Sequence, residues 1–437
     1  MATNDSSRPD PHAQRGLVPL YAAEAVNSIA ATLLTVGLPF YTNHRFGWGA
    51  RENFTVAALQ GLFYVLGALA AQKISLRWGR QKSLLALSAC MTTIACAAGI
   101  SATMGWSRTM ALLVILETFF MAASWPMLES LVSESGETSR LSKRLGYYNI
   151  VWAVTGFLAV AASGAIIQHT PAWSFFGIVA TGNFLAGALL LCRSHLTGPA
   201  SIAADLSVSQ EAPVTENASQ SGPAQDEAEA RTHRLALRLS RIALPSTYVI
   251  VYSLAPALPS LHAIRQLSPT VATVVCSIWL LARAAAFIIT GHTTFWHRRT
   301  GLMVAASITM LIAFVGTIAA GAPDALSMAP ALAAMAAAQI VLGLSLGTIY
   351  SASLYFGMAV SDGSTEHGGY HEALIGLGQI LGPLVGATMQ WMRPGALWPA
   401  VIGISGVISI SIVVQAIVGV RAALGIGTSQ RIDEADA

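Results

Sequence analysis

The amino-acid sequence predicts an all-α integral membrane protein with twelve transmembrane helices in two pseudo-symmetric six-helix bundles. Its composition is the first indication, because 54% of the residues are hydrophobic and 10% are charged, whereas soluble proteins average about 25% charged residues. The second is a series of long apolar runs, and the third is a layout that repeats in the second half of the chain.

Twelve apolar runs are long enough to cross a bilayer core of about 30 Å. The first six are Leu17 to Phe40, Phe54 to Ala71, Leu84 to Met104, Thr109 to Leu131, Leu145 to Ile167 and Ala172 to Cys192. The second six are Ile242 to Leu261, Pro269 to Ile289, Leu302 to Ala320, Ala325 to Tyr350, His371 to Trp391 and Trp398 to Val420.

The two sets of runs share their spacing. A shift of 223 residues places Tyr148 on His371, and it places Ala159 and Ser163 on Gly382 and Gly386. The match lies in hydropathy and in the spacing of small residues more than in identity. Internal repeats of about six spans are typical of secondary transporters.

Span eleven, from His371 to Trp391, carries small residues four positions apart. Gly378, Gly382 and Gly386 flatten one helix face, so another helix can approach it closely inside a bilayer. Pro383 lies within that face and removes a backbone hydrogen bond, which favours a kink. We therefore expect a packed, bent helix that takes part in gating.

A polar segment separates the two sets of spans. Residues 194 to 230 are rich in Ser, Ala, Gln and Pro and lack Lys and Arg, so they predict no stable fold. Residues 231 to 241 are basic and amphipathic, which fits either a helix on the membrane surface or a continuation of the next span. The predicted organisation is a tail (1–16), a six-helix bundle (17–193), a linker (194–241), a second bundle (242–420) and a tail (421–437).

The distribution of positive charge predicts the orientation. The loops on one side, together with the tails and the linker, hold 18 of the 24 Lys and Arg residues, and the other side holds five. By the positive-inside rule, both termini and the linker are cytoplasmic, and we expect a bacterial inner membrane. The remaining cation lies within a span. A net charge of +3 without a basic patch argues against a nucleic-acid partner.

The loop after span two, from Lys73 to Lys82, is similar to the signature loop Gly-x-Leu-Ala-Asp-Arg-x-Gly-Arg-Lys of the major facilitator superfamily. Arg77, Gly79 and Arg80 match it, whereas the first glycine and the acid are replaced. With twelve spans and a long central linker, the whole chain resembles this superfamily in layout. The resemblance implies that spans one, four, seven and ten line a central cavity, that spans two, five, eight and eleven border it, and that the loop helps to gate it.

Three charged residues lie near the middle of predicted spans. Glu24 in span one has Asn27 nearby, Glu117 lies in span four, and Arg283 in span eight follows Trp279 by one turn. A charge at the bilayer centre costs at least about 2.5 to 3.5 kcal/mol, so each is a candidate functional residue. We expect Glu24 and Glu117 to carry protons and Arg283 to bind substrate; a static ion pair is the alternative.

Further polar residues complete the candidate site. Glu129 lies near the end of span four, where either a gating bridge to Arg140 or Arg144 or a plain interfacial acid is expected. The candidate substrate-binding residues are Arg283, Asn27, Gln60, Trp279 and Gln379. The candidate gating residues are Arg77, Gly79, Arg80, Glu129, Gly382, Pro383 and Gly386.

The predicted function is secondary active transport of a small organic solute, coupled to protons and performed by a monomer in the lipid bilayer. Arg283 favours an anionic or zwitterionic solute. A transporter-like sensor or scaffold without flux is an alternative, as is a membrane enzyme, for which only His367, His371 and Glu372 offer reactive groups. His367 and His371 have a metal-binding spacing but no third ligand, so no metal, cofactor or catalytic residue is expected.

The charge distribution generates a test of topology. A reporter fused between Ser201 and Ser221 should be active on the cytoplasmic side, because that segment lies between spans six and seven. The measurement is the activity of paired reporters that work on only one side of the membrane. Activity only on the outer face would contradict the predicted number of spans.

Overall fold

The computed structural model describes residues 11–134, 141–207, 223–297, 299–323, 326–361 and 365–424, and this part of the chain is helical with short connections. Within these described residues, twelve helices are long and apolar enough to span a membrane, which confirms the predicted number. The spans are Leu17–Phe46, Ala50–Trp78, Arg80–Thr103, Ser107–Ser133, Arg144–His169, Trp173–Cys192, Arg231–Ser260, Pro269–His292, Gly301–Ala320, Met328–Gly357, Tyr370–Met392 and Leu397–Ala423.

Several helices extend beyond their apolar runs. The helix of span seven runs without interruption over Pro223–Ala257, so residues 231 to 241 continue that span. The helix of span six covers Trp173–Ser207. Part of the segment expected to lack structure, 194–207 and 223–230, is thus helical, because backbone hydrogen bonds and helix-forming residues such as Ala do not require burial. The rest of that segment lies outside the described residues, as do most of both predicted tails.

The two six-helix halves meet along two pairs of spans. Span two packs against span eleven, and span five packs against span eight. Within each half, the spans pack mainly against their own neighbours. Large exposed hydrophobic side chains, such as Leu112 and Ile402, lie on the outer surface, where a bilayer would cover them. The space between the halves is therefore bordered by spans two, five, eight and eleven.

Small residues bring the facing helices to backbone distance. A Cβ atom on Gly61 would lie 2.6 Å from the backbone of Gln379 in the other half. On span eleven, Gly386 packs against the ring of Phe54 across the interface, whereas Gly382 packs against Val249 of span seven in its own half. The predicted close contact of this face is present, and the helix Thr365–Met392 continues through Pro383.

The loop between spans two and three has the compact form that its residues indicate. Gly79 adopts a φ of +78°, which side chains with a Cβ rarely adopt. The Nη1 atom of Arg80 donates a hydrogen bond of 2.8 Å to the Ser130 hydroxyl of span four. Arg77 is exposed. The loop is thereby tied to one neighbouring span through Arg80.

Two irregular turns interrupt spans at the level of the central space. Span one contains a π-helical turn over Leu33–Gly37. Span eight is divided into Pro269–Cys276 and Ile278–His292, with Ser277 between the two segments. π-helical turns occur frequently at functional sites. Both interruptions immediately adjoin residues that line the cavity described below.

The packing of span eleven generates a stability prediction. Gly386→Leu should destabilise the protein by about 1 to 3 kcal/mol, because the new side chain must displace the Phe54 ring. Gly406→Leu is the matched control, since a Cβ at Gly406 of span twelve has nothing within 4 Å. The measurement is the thermal unfolding midpoint in detergent. Equal midpoints for the two variants would show that the interface is looser than described.

Candidate functional site

A narrow cavity lies between the two halves, and the space within it that is open to a water-sized molecule is about 60 Å³. Spans one, two, four, five, seven, eight, ten and eleven contribute to its wall. Much of that wall is aromatic. The rings belong to Tyr64, Trp125, Tyr148, Trp152, Tyr248, Tyr252, Trp279 and Tyr350.

Spans five and eight, from opposite halves, contact each other on both sides of the cavity level. On the side that carries the linker between spans six and seven, Gly146 of span five and Gly291 of span eight approach each other closely. Near the opposite end, the backbone N–H of Gly164 donates to the Thr273 hydroxyl at 3.1 Å. The side chains around the cavity are almost completely buried, with Trp279 exposed by 1%. The structure therefore represents an occluded state.

Arg283 reaches the cavity and is held by aromatic rings. Its guanidinium carbon lies 4.0 Å from the ring centroid of Trp152, which belongs to the other half, and 5.3 Å from that of Trp279. Within the described part of the chain, no carboxylate forms an ion pair with it. Cation–π contacts of this kind stabilise a desolvated guanidinium by about 2 kcal/mol. Arg283 thus joins the two halves through Trp152.

Glu372 forms a second polar contact between the halves. The hydroxyl of Tyr64 on span two donates a short hydrogen bond to Oε2 of Glu372 on span eleven. Both side chains are buried, and both line the cavity. The sequence interpretation considered Glu372 only as part of a weak His-rich group. Its position at the interface of the two halves makes it a central residue of the site.

Glu129 also lines the cavity, which differs from the expected position near the membrane surface. It is 1% exposed, and its Oε2 atom has no hydrogen-bond partner among the described residues. The helix of span four continues beyond the apolar run, so Glu129 lies within it and faces inward one turn after Trp125. The expected pairing with Arg144 is not formed; Arg144 donates to the Ser133 carbonyl at 2.7 Å. Arg140 lies outside the described residues.

Glu24 is buried beside these two carboxylates. Its Oε1 atom accepts a hydrogen bond of 2.5 Å from the Ser28 hydroxyl on the same helix. Glu24 lies within electrostatic range of both Glu129 and Glu372. It is fully buried and adjoins the cavity without lining it. Three carboxylates from both halves are thus concentrated in one region.

Glu117 and Gln60 do not occupy the expected positions. The Oε1 atom of Glu117 accepts a hydrogen bond of 2.8 Å from Nδ2 of Asn183 on span six, so this carboxylate points away from the cavity. The amide of Gln60 donates to the Leu34 carbonyl at 3.2 Å and to the Thr118 hydroxyl at 3.3 Å. Both side chains find partners within the first half, because a polar group in an apolar bundle is stabilised by the nearest available hydrogen bond.

The remaining candidates are divided between the cavity and the helix contacts. Trp279 lines the cavity, and its indole N–H has no hydrogen-bond partner among the residues described. Asn27 and Gln379 are buried away from the lining. His371 lies 3.4 Å from the Ser353 hydroxyl, while the side chain of His367 is outside the described set. The described residues contain no group of three or more potential metal ligands.

The aromatic residues of the cavity follow a pattern that is visible in the sequence. Aromatic or charged residues recur every four positions on one helix face of several spans, so they point the same way. The series are Trp125 and Glu129; Tyr148 and Trp152; Tyr248 and Tyr252; and Trp279 and Arg283. Of these residues, the sequence interpretation used the charged members and Trp279, so it missed most of the aromatic wall.

Two six-helix halves around an occluded polar cavity define a secondary transporter. The sequence profile of the Major Facilitator Superfamily matches residues 20–355, and the chain belongs to this superfamily. The crystal structure of a mutant of the nucleoside transporter NupG is similar in fold, with a TM-score of 0.60 and 14% identity, over 92% of this chain and 99% of NupG. No curated protein matches the sequence.

The location of Glu117 generates a prediction about stability. Glu117→Leu should destabilise the protein by about 1 to 3 kcal/mol, because the amide of Asn183 loses its buried acceptor. Glu117→Gln keeps an acceptor oxygen and should remain close to wild type. Thermal unfolding midpoints of the two variants provide the measurement. A similar loss in both would indicate that Glu117 is needed as a carboxylate.

Proposed function

We propose that this chain is a proton-coupled secondary transporter that moves a small organic solute by alternating access. The observation that carries the proposal is the hydrogen bond from Tyr64 to Glu372. It joins a titratable group of one half to a partner in the other half, directly at the cavity wall. A proton at this position affects the contact that has to open and close.

The physical basis is the difference between a carboxylate that is buried in the closed cavity and one that is exposed to water. In the occluded state, Glu372 is removed from water and relies on Tyr64, whereas separation of spans two and eleven would admit water to both. A buried charge without solvent or a cation is costly, so closure favours the protonated form and opening permits its release. Glu24 and Glu129, which lie in electrostatic range, share this function.

A solute of metabolite-like size would require the halves to separate, because pockets for such molecules measure about 300 to 1,000 Å³ and the closed cavity has about 60 Å³ of accessible space. The aromatic wall offers flat faces for an apolar or ring-shaped body. Arg283 supplies a positive group, and Glu129 and Glu372 supply negative groups, at the same cavity. Of the anionic and zwitterionic solutes expected from the sequence, the zwitterionic type agrees better with this combination.

The proposal retains the expected gates and location. The contact of span two with span eleven, the contact of span five with span eight, and the loop with Gly79 and Arg80 act as gates. They join segments that must move past each other. We place the monomeric protein in a bacterial inner membrane, with both termini in the cytoplasm. A sensor or scaffold would share the fold and bind a solute without moving it.

The coupling proposal is tested with the full-length protein in liposomes that contain a pH-sensitive dye. A panel of aromatic amines, amino acids and nucleosides is added, and solute-dependent proton movement is recorded. Glu372→Gln should abolish proton movement but preserve solute counterflow, because the amide still accepts from Tyr64 and cannot titrate. Glu117→Gln, which removes a buried carboxylate away from the cavity, is the control and should behave like wild type.

Two results would contradict the proposal. Proton movement that is unchanged in Glu372→Gln and in a variant that also replaces Glu24 and Glu129 by Gln would exclude coupling through this cluster. Absence of flux for every solute, with solute binding intact, would favour a sensor or scaffold.

A further inference from the structure

The charged groups of the cavity are not paired with one another. Glu129 and Glu372 line the same cavity as Arg283, yet neither carboxylate forms an ion pair with it in the described chain. Tyr248 and Tyr252 lie within electrostatic range of both Arg283 and Glu372. The two tyrosines thus lie near both the positive and the negative group, and neither group is neutralised by the other.

Glu129 carries a hydrogen-bond acceptor that no described residue uses. Oε2 of Glu129 is buried and has no hydrogen-bond partner among the described residues, although it belongs to a side chain on the cavity wall. A buried carboxylate oxygen is stabilised either by a proton or by a cation. No Lys or Arg of the described chain forms an ion pair with Glu129, so the second option requires a positively charged ligand.

The aromatic wall is suited to a positive charge. Arg283 already lies against Trp152 and Trp279, which shows that rings of this wall hold a cation without a carboxylate partner. The rings of Tyr248 and Tyr350 lie close to each other, with centroids 6.4 Å apart, and border the same space. Aromatic faces carry partial negative charge and attract organic cations.

We propose that the site takes an organic cation, with a positively charged nitrogen on an apolar or aromatic body, and that this cation and protons occupy Glu129 and Glu372 in alternation. The inference rests on the proposed transport function, and it replaces the zwitterionic solute favoured there by a cationic one. Entry of a singly charged cation releases two protons to water, one from each carboxylate, and reprotonation expels the cation. The exchange therefore moves one net charge, and no covalent bond other than O–H is formed or broken.

Arg283 has a specific part in this exchange. With both carboxylates ionised, Glu129, Glu372 and Arg283 have a summed charge of −1, and protonation of both changes the sum to +1. The guanidinium then remains as an uncompensated positive charge that repels the solute. In this proposal Arg283 promotes release of the cation, instead of anchoring an anionic group.

Several other titratable or charged groups surround the two carboxylates. They are Glu24 of span one, Tyr64 of span two, Tyr148 of span five, Tyr248 and Tyr252 of span seven, Tyr350 of span ten and, next to Glu372 on its own span, His371. Arg283 of span eight shares their cavity. Glu24 is the third carboxylate whose proton can contribute to the pH dependence.

The test uses probes whose own charge does not change with pH. Tetramethylammonium and benzyltrimethylammonium are the cations, and benzenesulfonate is the anion. Binding to the purified full-length protein is measured by titration calorimetry near pH 5.5 and near pH 8.5. We expect at least one cation to bind about tenfold more weakly at the lower pH, because protons compete for the same groups, and we expect no binding of benzenesulfonate.

Variants of Arg283 distinguish between two roles of its side chain, which are repulsion of the cation and anchoring of an anionic group. Arg283→Gln should strengthen cation binding by about tenfold at the lower pH, since the repelling charge is gone, whereas an anchoring residue would give weaker binding of benzenesulfonate or of a zwitterion. Glu129→Gln and Glu372→Gln should each weaken cation binding and flatten its pH dependence. Glu117→Gln, with its carboxylate turned towards Asn183, should leave both unchanged.

The inference is overturned if no cation in the series binds at millimolar concentration, if benzenesulfonate binds more tightly than the cations, or if cation binding is independent of pH. Its failure is distinguishable from failure of the transport proposal. Proton movement driven by an anionic or neutral solute in the liposome assay would preserve proton-coupled transport and refute only the cationic solute class.

Discussion

The close approach of spans two and eleven is the contact on which the site depends. Membrane helices gain little from apolar burial alone, so their association relies on tight packing of small residues. Gly61 admits the backbone of span eleven, and Gly376 admits Val65 and the ring of Tyr64. This contact places the Tyr64 hydroxyl against Glu372. A bulkier interface would hold the phenol and the carboxylate apart, and the two halves would lose their titratable connection.

The fold was largely predictable because a bilayer imposes strong rules on sequence. Length and hydropathy determined the twelve spans, and the small residues of span eleven, such as Gly386, correctly indicated a packed face. Helix ends were less predictable. Hydropathy reports where apolar residues stop, whereas a helix such as Pro223–Ala257 continues wherever its backbone hydrogen bonds remain favourable.

The site was predictable only in part, because the direction of a side chain depends on how its helix is rotated. Arg283 was correctly placed on the cavity, while Glu117, equally central in its span, points to Asn183. Glu129 was assigned to the surface because the apolar run ends close to it. Glu372 was overlooked since it stands at the edge of span eleven, and its importance arises from Tyr64, which is distant in sequence.

The internal repeat shows that the two interfaces are unequal. The shift of 223 residues places Tyr64 on Phe287 and Asn149 on Glu372, so the contact of span two with span eleven corresponds to that of span eight with span five. At the first interface, a phenol donates to a carboxylate; at the second, Phe287 stacks on Trp152 with centroids 5.8 Å apart. The guanidinium of Arg283 also lies over Trp152 at this second interface. Because a guanidinium retains its charge at physiological pH, this contact does not vary with protonation. Under the proposed proton coupling, a change in proton occupancy therefore acts on one interface and leaves the other in place. Such an asymmetric response would permit the halves to rotate about a lasting contact instead of separating completely.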